Sequence, residues 1–302
     1  MDLNAFPQTG LLIFSLIVCL VVGLLKNYYS KSVISTRSSE LYLYSAATAG
    51  LSAVFIFAFS GFRLEWSAYT ILMSVVFGFV TMIQNVSVTR ALVIGPFSYT
   101  TVLTSAGTMI SALSGYFFFG ETLTTVKIIG MAFMLVCFAL SVKKDEDGKK
   151  GNLVWFLLAL TGAVTTGLIG VLQKIHQNSP HKHELLAFLV VAFVFSWVFS
   201  QIFFLVSKSG EVKAGLMPAA RKTKGFVFGL FAVSALCIAL NNIINLFLSG
   251  VMEAAVFFPV VNGVGLILAI IFCMILFREK LQPLQWVGIV CGVISTLMLC
   301  MP

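Results

Sequence analysis

Charged residues are scarce in this chain of 302 residues. They make up 10% of it, whereas hydrophobic residues make up 59%, and the mean hydropathy is +1.03. Soluble domains are roughly half apolar and about one quarter charged. A soluble fold could not bury this much apolar surface, so the composition excludes an ordinary soluble protein and predicts one that lies in the lipid bilayer.

Sequence patterns for catalysis and for metal binding are also missing. There is no HExxH zinc-protease motif, no phosphate-binding Walker loop and no nucleophile elbow. The six cysteines all fall in apolar stretches and none forms a CxxC pair, so neither a disulfide framework nor a zinc site is predicted. His176, His181 and His183 surround Pro180, but with one nearby carboxylate they do not predict a metal site. We therefore expect no enzyme activity, no metal and no cofactor.

The apolar residues fall into ten stretches that are separated by short polar breaks. Each stretch has the length of a membrane-spanning or nearly spanning helix. The predicted helices cover residues 9–25, 40–60, 67–88, 97–119, 123–142, 153–173, 185–206, 225–248, 255–277 and 284–301. The first could instead be the apolar part of a cleaved signal peptide, but no positive residue precedes it, so we expect a membrane helix.

A short phrase occurs twice in the sequence. Residues 119–123 read Phe-Gly-Glu-Thr-Leu and are followed by Gly130, and residues 277–281 read Phe-Arg-Glu-Lys-Leu and are followed by Gly288. One offset of 158 residues (277 minus 119) aligns Phe, Glu, Leu and Gly in the two copies. A chain that repeats itself at half its length is typical of transporters built from two copies of one membrane unit.

The repeat predicts the arrangement of the whole chain. Five helices per half is an odd number, so the second copy must enter the bilayer from the opposite face. We therefore predict an all-α integral membrane protein with ten transmembrane helices in two inverted five-helix repeats. The repeats cover residues 1–142 and 153–302, and the charged segment 143–152 links them.

Basic residues are distributed unequally between the two predicted faces. Arg63, Lys127, Lys174 and Lys182 fall on one face and the other 15 of the 19 Lys and Arg residues fall on the opposite one. Cytoplasmic loops carry the excess of positive charge, so both termini are predicted outside the cytoplasm of a cell-membrane protein. The net charge of +8 then indicates contact with anionic lipid headgroups and no nucleic-acid partner.

Three features of the sequence carry a resemblance to a known family: the Gly-Glu-x-Leu turn at residues 120–123, the glycine in the last helix of each half, and residues 90–98 (Arg-Ala-Leu-Val-Ile-Gly-Pro-Phe-Ser). The chain resembles the EamA-type ten-helix members of the drug/metabolite transporter superfamily. The resemblance spans nearly the whole chain. It implies a multi-pass transporter with a small-molecule substrate, in monomeric or homodimeric form, with a proton or ion as a candidate for coupling. Members of the family are commonly taken to have both ends in the cytoplasm, so the resemblance and the charge pattern predict opposite orientations.

Polar side chains at membrane depth are the candidates for substrate binding. Each is costly in hydrocarbon unless it faces another helix or a water-filled cavity. The candidates are Gln84, Asn85, Tyr99, Thr104, Thr108, Asn241, Asn242, Asn245 and Asn262. Three asparagines in about one turn exceed what packing needs, because each amide has both donors and acceptors to satisfy. The alternative is that the hydroxyls bond their own backbone and the amides join helices.

The few charged residues near helix ends allow more than one interpretation. Glu253, at the start of the ninth predicted helix, is the candidate for proton or ion coupling, with simple solvation as the alternative. Glu121 and Glu279 are interpreted as helix-start residues that the helix dipole favours. Lys26 and Lys174 are expected to extend to the membrane surface.

We accordingly predict a secondary transporter that works by alternating access. Because no fixed charge is predicted at mid-membrane, the expected solute is amphipathic, neutral or zwitterionic, such as an amino acid or a lipophilic drug, and the expected direction is export. Uptake, exchange of a nucleotide-linked sugar, a non-transporting scaffold subunit and an intramembrane enzyme are the alternatives.

Overall fold

The computed structural model describes residues 7–32, 38–95, 97–140, 153–213, 224–277 and 283–301. The predicted linker 143–152 and Glu279 lie outside these ranges. Within them the chain is helical and forms no strand. The helices are α1 (Gln8–Ser32), α2 (Ser38–Phe59), α3 (Ala68–Ile94), α4 (Phe97–Ala106), α5 (Thr108–Phe119), α6 (Thr125–Leu140), α7 (Leu153–Gln177), α8 (Leu185–Lys213), α9 (Lys224–Val251), α10 (Ala254–Phe277) and α11 (Pro283–Leu299), with one turn of 3-10 helix at Lys182–Glu184.

The surface of this bundle is apolar, as a membrane protein requires. In the described part of the chain, seven helical spans are long and apolar enough to cross a bilayer, and Thr125–Leu140, Ala254–Gly265 and Trp286–Leu299 are shorter apolar helices. Large side chains such as Phe117 and Phe118 are largely exposed. Helices satisfy their own backbone hydrogen bonds, which lipid cannot do. The prediction of an all-helical membrane protein is therefore confirmed.

The predicted fourth helix is interrupted. Residues 97–119 form two helices, α4 and α5, on either side of Gly107. A Cβ atom on Gly107 would lie 1.9 Å from the carbonyl oxygen of Ala163 in α7, so only glycine permits this approach of the two backbones. The run of Ser and Thr between residues 98 and 114 gave no sign of the break. The other helices begin and end within a few residues of the prediction, except that α1, α3, α7 and α8 continue into their polar flanks.

Helices from the two halves of the chain alternate in the bundle. Helix α2 packs along α8, and α6 packs along α11. Helix α3 contacts α7 and α8, while α9 contacts α1 and α2. Helices α4 and α5 contact α7, and α10 contacts α1. Neither half is therefore a separate domain in space, because most extensive contacts join one half to the other.

The largest buried apolar cluster lies toward one end of the bundle. It joins α1, α2, α3, α8, α9 and α10, and Ile56, Phe77, Phe188 and Phe257 are among its fully buried members. Its residues belong to the portions of these helices nearest the α2–α3, α7–α8 and α9–α10 connections. Since Glu121 in the α5–α6 connection also lies here, we call this the Glu121 end. At the opposite end, Tyr29 stacks on Tyr44 with ring centroids 4.3 Å apart.

Candidate functional site

Four charged side chains meet at the Glu121 end, around the connection between α9 and α10. Lys174 Nζ lies 2.7 Å from Glu121 Oε1, and Lys127 forms an ion pair with Glu253. We call Glu121, Lys127, Lys174 and Glu253 the charge cluster. Each pair joins a residue from the first half of the chain to a residue from the second half, so the cluster depends on how the halves are packed.

Glu121 is placed by the glycine that precedes it. Gly120 has a φ of +65°, the left-handed conformation that glycine adopts without strain, and it ends α5. Glu121 Oε2 then accepts a hydrogen bond of 2.7 Å from the backbone N–H of Ala254, the first residue of α10. A helix N-terminus has unpaired N–H groups and partial positive charge, so it favours a carboxylate. Glu121 was predicted to start the helix that follows it in sequence, and this is wrong: it caps the N-terminus of α10.

Gly115 provides the space for this carboxylate. A Cβ atom there would lie 2.2 Å from Glu121 Oε2 and 2.9 Å from the Cβ of Ala254. The Glu121 N–H also donates to the carbonyl oxygen of Gly115 at 3.1 Å. Gly115 therefore allows the last turn of α5, the Glu121 side chain and the start of α10 to lie in direct contact.

The two lysines of the cluster are buried. Lys174 is 5% exposed and Lys127 is 4% exposed, and Lys174 Nζ also donates to the carbonyl oxygen of Met252 at 2.7 Å. The expectation that Lys174 extends to the membrane surface is therefore wrong. Its carboxylate partner and this carbonyl make the buried position favourable, since a buried charge must be paired and hydrogen-bonded.

Glu253 differs from the other three residues because its side chain is 45% exposed. Its backbone carbonyl accepts from the N–H groups of Val256 and Phe257, at 3.1 and 2.8 Å, so Glu253 starts α10. It combines an ion pair, which the sequence did not predict, with the partial solvation that the sequence gave as one interpretation, and its role in coupling stays a prediction. Lys26, near the other end of α1, donates to Asn85 Oδ1 at 3.1 Å.

Glu184 links two further connections at the Glu121 end. It accepts hydrogen bonds from the backbone N–H and the hydroxyl of Ser67, both at 2.9 Å, and lies 3.1 Å from His181 Nδ1. Ser67 is the N-cap of α3, so this carboxylate also faces a helix N-terminus. Among the described residues, no group of three His, Cys, Asp or Glu side chains is arranged to hold a metal ion.

A second polar cluster lies deeper, between α1 and α9. The hydroxyl of Ser15 donates to Asn245 Oδ1 at 2.5 Å and lies 3.3 Å from Asn241 Oδ1. We call Ser15, Asn241 and Asn245 the amide cluster. Ser15 is fully buried, and both asparagines are half-buried. Ser15 and Asn241 each lie near the middle of an apolar span, Gln8–Lys26 and Val227–Val251 respectively.

The amide cluster leaves hydrogen-bonding capacity unused. Both asparagine oxygens face the Ser15 hydroxyl, but their amide nitrogens donate to no group in the described ranges. The Gln84 side chain likewise has no hydrogen bond to another described residue, and it is half-buried. Lipid offers no partner for such groups, so they need water or a bound polar solute.

The amide nitrogens of Asn242 and Asn262 bond their own helices and not a neighbouring helix. Asn242 Nδ2 donates to the carbonyl oxygen of Ile238, and Asn262 Nδ2 donates to that of Phe258, both at 2.9 Å. Each amide thus bonds one turn back along its own helix, as side chains in membrane helices often do. Their side-chain amide oxygens accept from no described residue, and both side chains are half-buried.

The structure places the threonine candidates elsewhere. Thr104 donates to the carbonyl oxygen of Thr100 at 2.9 Å, and Thr108 donates to that of Ser105 at 2.7 Å. Thr104 also lies against α7, because a Cβ on Gly162 would be 3.1 Å from its methyl group. The side chain of Tyr99 lies outside the described residues.

The predicted residues therefore do not form one compact group. Helix α1 contacts α3, α9 and α10, which carry the asparagine and glutamine candidates. However, Lys26, which binds Asn85, follows Ser15 by 11 residues (26 minus 15), which is roughly 16 Å along a helix. The amide cluster is the part of the predicted site with direct contacts between distant helices. Nothing in the spacing of residues predicted the charge cluster.

Comparisons with known proteins identify the fold and nothing further. No family model matches the sequence, and no curated protein matches it. A solved structure described only as "Crystal structure of protein" is similar over 96% of this chain and 95% of that chain, with a TM-score of 0.67 and 13% sequence identity. The likeness shows that the whole chain, and not one half, adopts a fold seen in a solved protein.

Proposed function

We propose that this protein is a secondary transporter that moves a small organic solute across the cell membrane by alternating access. The observation that carries the proposal is the amide cluster. Its amide nitrogens donate to no described residue, and the two asparagines lie in an apolar span and are half-buried, which suits a solute-binding surface better than a helix contact. A purely structural contact would be expected to use these donors.

The helix contacts support two inverted five-helix repeats within this proposal. If α4 and α5 cross the membrane as one segment and α6, α10 and α11 also cross, the chain makes ten crossings. If each crossing is matched with the one five crossings later, a contact between two helices should have an equivalent contact between their counterparts. The contact of α3 with α7 corresponds to that of α9 with α1, the contact of α3 with α8 to that of α9 with α2, and the contact of α1 with α3 to that of α7 with α9. All these helix pairs are in contact. Inverted repeats place the solute site near the bilayer midplane, between the repeats.

The unequal number of Lys and Arg residues on the two faces supports the proposed orientation. Lys127 and Lys174 come from the sparsely basic face, and both are paired with glutamates at the Glu121 end. By the positive-inside rule, the Glu121 end and both termini are then outside the cytoplasm. A cysteine introduced in segment 143–150 should react with an impermeant reagent only after the cells are opened, and ready labelling of intact cells would reverse the orientation.

The chemistry of the amide cluster limits the solute. Ser15, Asn241 and Asn245 carry no charge, and they offer amide N–H donors to a ligand. A neutral or zwitterionic solute with acceptor oxygens fits this set, and a multivalent anion has no cationic partner there. We keep Glu253 as the candidate for a coupling proton, because it is the most exposed carboxylate of the charge cluster. Export is the proposed direction.

A scaffold without transport is the second candidate. It is favoured by the contacts of Ser15 with Asn241 and Asn245, because they join α1 to α9 without a ligand. On this alternative the polar groups hold helices in place, and their loss lowers stability without changing any solute flux.

The test compares metabolites inside and outside cells that express the intact chain or an Asn241→Ala, Asn245→Ala double variant at matched membrane abundance. We expect at least one solute to move with the intact chain and its flux to fall about tenfold or more in the variant. Thr296→Ala is the control, because that hydroxyl bonds only the preceding turn of α11 within the described ranges. Identical profiles for all three, with lowered stability of the double variant, would favour the scaffold.

A further inference from the structure

We propose that the charge cluster is the gate of the Glu121 end: its two ion pairs hold this end shut and separate when the end opens. This inference rests on the proposed function, since only an alternating-access protein needs such a gate. It assigns a role to the four charged residues of the cluster that the solute site does not use.

The pairs are positioned to sense movement between the halves. Glu121 lies in the α5–α6 connection and Lys127 lies in the first turn of α6, both in the first half. Lys174 in α7 and Glu253 before α10 belong to the second half. A movement that opens this end by separating α5 and α6 from α7 and α10 must therefore lengthen both ion pairs, together with the hydrogen bond from Ala254 to Glu121.

Among the described residues, buried side chains fill the Glu121 end. Behind the charge cluster, Leu248, Ala254 and Phe257 are fully buried in the apolar cluster that joins α1 to α3 with α8 to α10. Ser249, one turn before Met252 on α9, has no exposed surface. Leu248 and Ser249 follow Asn245 on α9, so these buried side chains lie between the amide cluster and the charge cluster.

Ion pairs suit a contact that must open and close. Burying two charges costs nearly as much desolvation energy as their attraction returns, so a buried pair fixes a conformation without making it overwhelmingly stable. When this end opens, water can hydrate all four ions. The half-exposed Glu253 makes its pair the outer one, and the enclosed Glu121–Lys174 pair is the inner one.

The test measures the reactivity of single cysteines with a water-soluble maleimide. The full chain is placed in nanodiscs, where both faces are accessible, and its six native cysteines are replaced. Ser249→Cys reports on the Glu121 end. Ser234→Cys, on α9 one turn after Phe231 and 1% exposed, reports on the opposite end. The gate variant is Glu121→Gln with Lys174→Met, which removes both charges, leaves no unpaired ion and keeps an oxygen for the N–H of Ala254.

We expect the gate variant to label Ser249→Cys about tenfold faster or more and Ser234→Cys more slowly. Lys127→Met with Glu253→Gln is the second variant, expected to act in the same direction with a smaller change. Glu65→Gln is the control, because Glu65 is exposed in the α2–α3 connection at the same end.

Each result decides a separate question. Faster labelling at residue 249 with slower labelling at residue 234 supports both the gate and alternating access. Faster labelling at 249 with no change at 234 shows that the ion pairs hold this end shut but overturns alternating access, and with it both the proposed function and the role of the cluster as a gate. Equal acceleration at both positions shows general loosening and overturns the gate. If neither reporter changes in either folded variant, the cluster is only structural and the gate is overturned, while the proposed function remains.

Discussion

The charge cluster and the amide cluster both join polar side chains from distant helices, but they differ in how many of their polar atoms have protein partners. In the charge cluster, Lys174 has a carboxylate and a carbonyl partner, and Glu121 has a lysine and a helix N-terminus. In the amide cluster, one hydroxyl faces two asparagine oxygens and the amide nitrogens donate to no described residue. The enclosed Lys174–Glu121 pair is satisfied by the protein alone, whereas the asparagine amides have donors that no described residue uses.

This difference assigns different roles to the two clusters. A buried polar network whose members are all paired favours one arrangement of the backbone. Polar atoms that lack protein partners cost free energy until water or a ligand satisfies them. We therefore expect changes in the charge cluster to alter stability and conformation, and changes in the amide cluster to alter solute flux. The following predictions test that division.

The largest loss of stability is expected for Glu121→Ala. This change leaves the buried ammonium of Lys174 without its carboxylate and the N–H of Ala254 without its acceptor. Removing one partner of a buried ion pair costs about 3–5 kcal/mol. Thermal unfolding in detergent should show a much lower Tm, or the variant should not reach the membrane. Glu65→Ala, at an exposed glutamate of the same end, is the control, and an equal Tm for the two variants would contradict the structural account of Glu121.

Gly115→Ala should also lower stability, because the added methyl group would clash with the Glu121 side chain. The added methyl group would meet Glu121 Oε2 at 2.2 Å, so the carboxylate must move away from α10. Overpacking of this kind costs about 1–3 kcal/mol, which a lower Tm would record. Gly229→Ala in α9 is the matched control, because nothing lies within 4 Å of its added Cβ. An unchanged Tm for Gly115→Ala would mean that α5 and α10 can separate without cost.

The Lys127–Glu253 pair should respond unequally to loss of its two members. Glu253→Gln leaves a lysine that is almost fully buried without its counter-charge, and we expect a loss of about 1–2 kcal/mol. Lys127→Met leaves a glutamate that is 45% exposed and can be hydrated, so we expect a smaller loss. Comparison of the two Tm values gives the answer, and a lower Tm for Lys127→Met than for Glu253→Gln would contradict the inferred burial.

Most of the helix positions could be predicted from the sequence, because each polar break interrupts a long apolar stretch. The break at Gly107 could not, since it results from contact with Ala163 in a helix that begins 46 residues later (153 minus 107). The continuation of α1 to Ser32 and of α8 to Lys213 was missed for a related reason. Hydropathy reports where a helix can lie in lipid, and a helix can extend beyond that depth.

The candidate site was only partly predictable. Asn241 and Asn245 drew attention because amides are rare and costly in apolar helices, and the structure places both beside Ser15, which the prediction omitted. Ser15 gave no signal, because a single serine in an apolar helix commonly bonds its own backbone. The ion pair of Glu121 with Lys174 was missed because positions 53 residues apart (174 minus 121) carry no information about contact. The sequence analysis expected Lys174 to extend to the membrane surface, because that is the commonest arrangement of a lysine at the end of a membrane helix.

The smallest change in stability, with a clear change in transport, is expected for Ser15→Ala. The substitution removes one hydroxyl from between α1 and α9, and a hydrogen bond between membrane helices contributes only about 0.6 kcal/mol on average. The Tm should therefore change little. Without the hydroxyl, the oxygens of Asn241 and Asn245 lose their donor and can rotate, so the amide groups no longer present a fixed arrangement to a solute. For a solute identified with the intact chain, we expect a higher KM in uptake or efflux measured at matched abundance. Ser60→Ala is the control, because this half-buried serine just after α2 donates to the carbonyl oxygen of Phe57 in the preceding turn. A large fall in Tm with unchanged KM would show that the amide cluster is a structural contact like the charge cluster, and the division between them would fail.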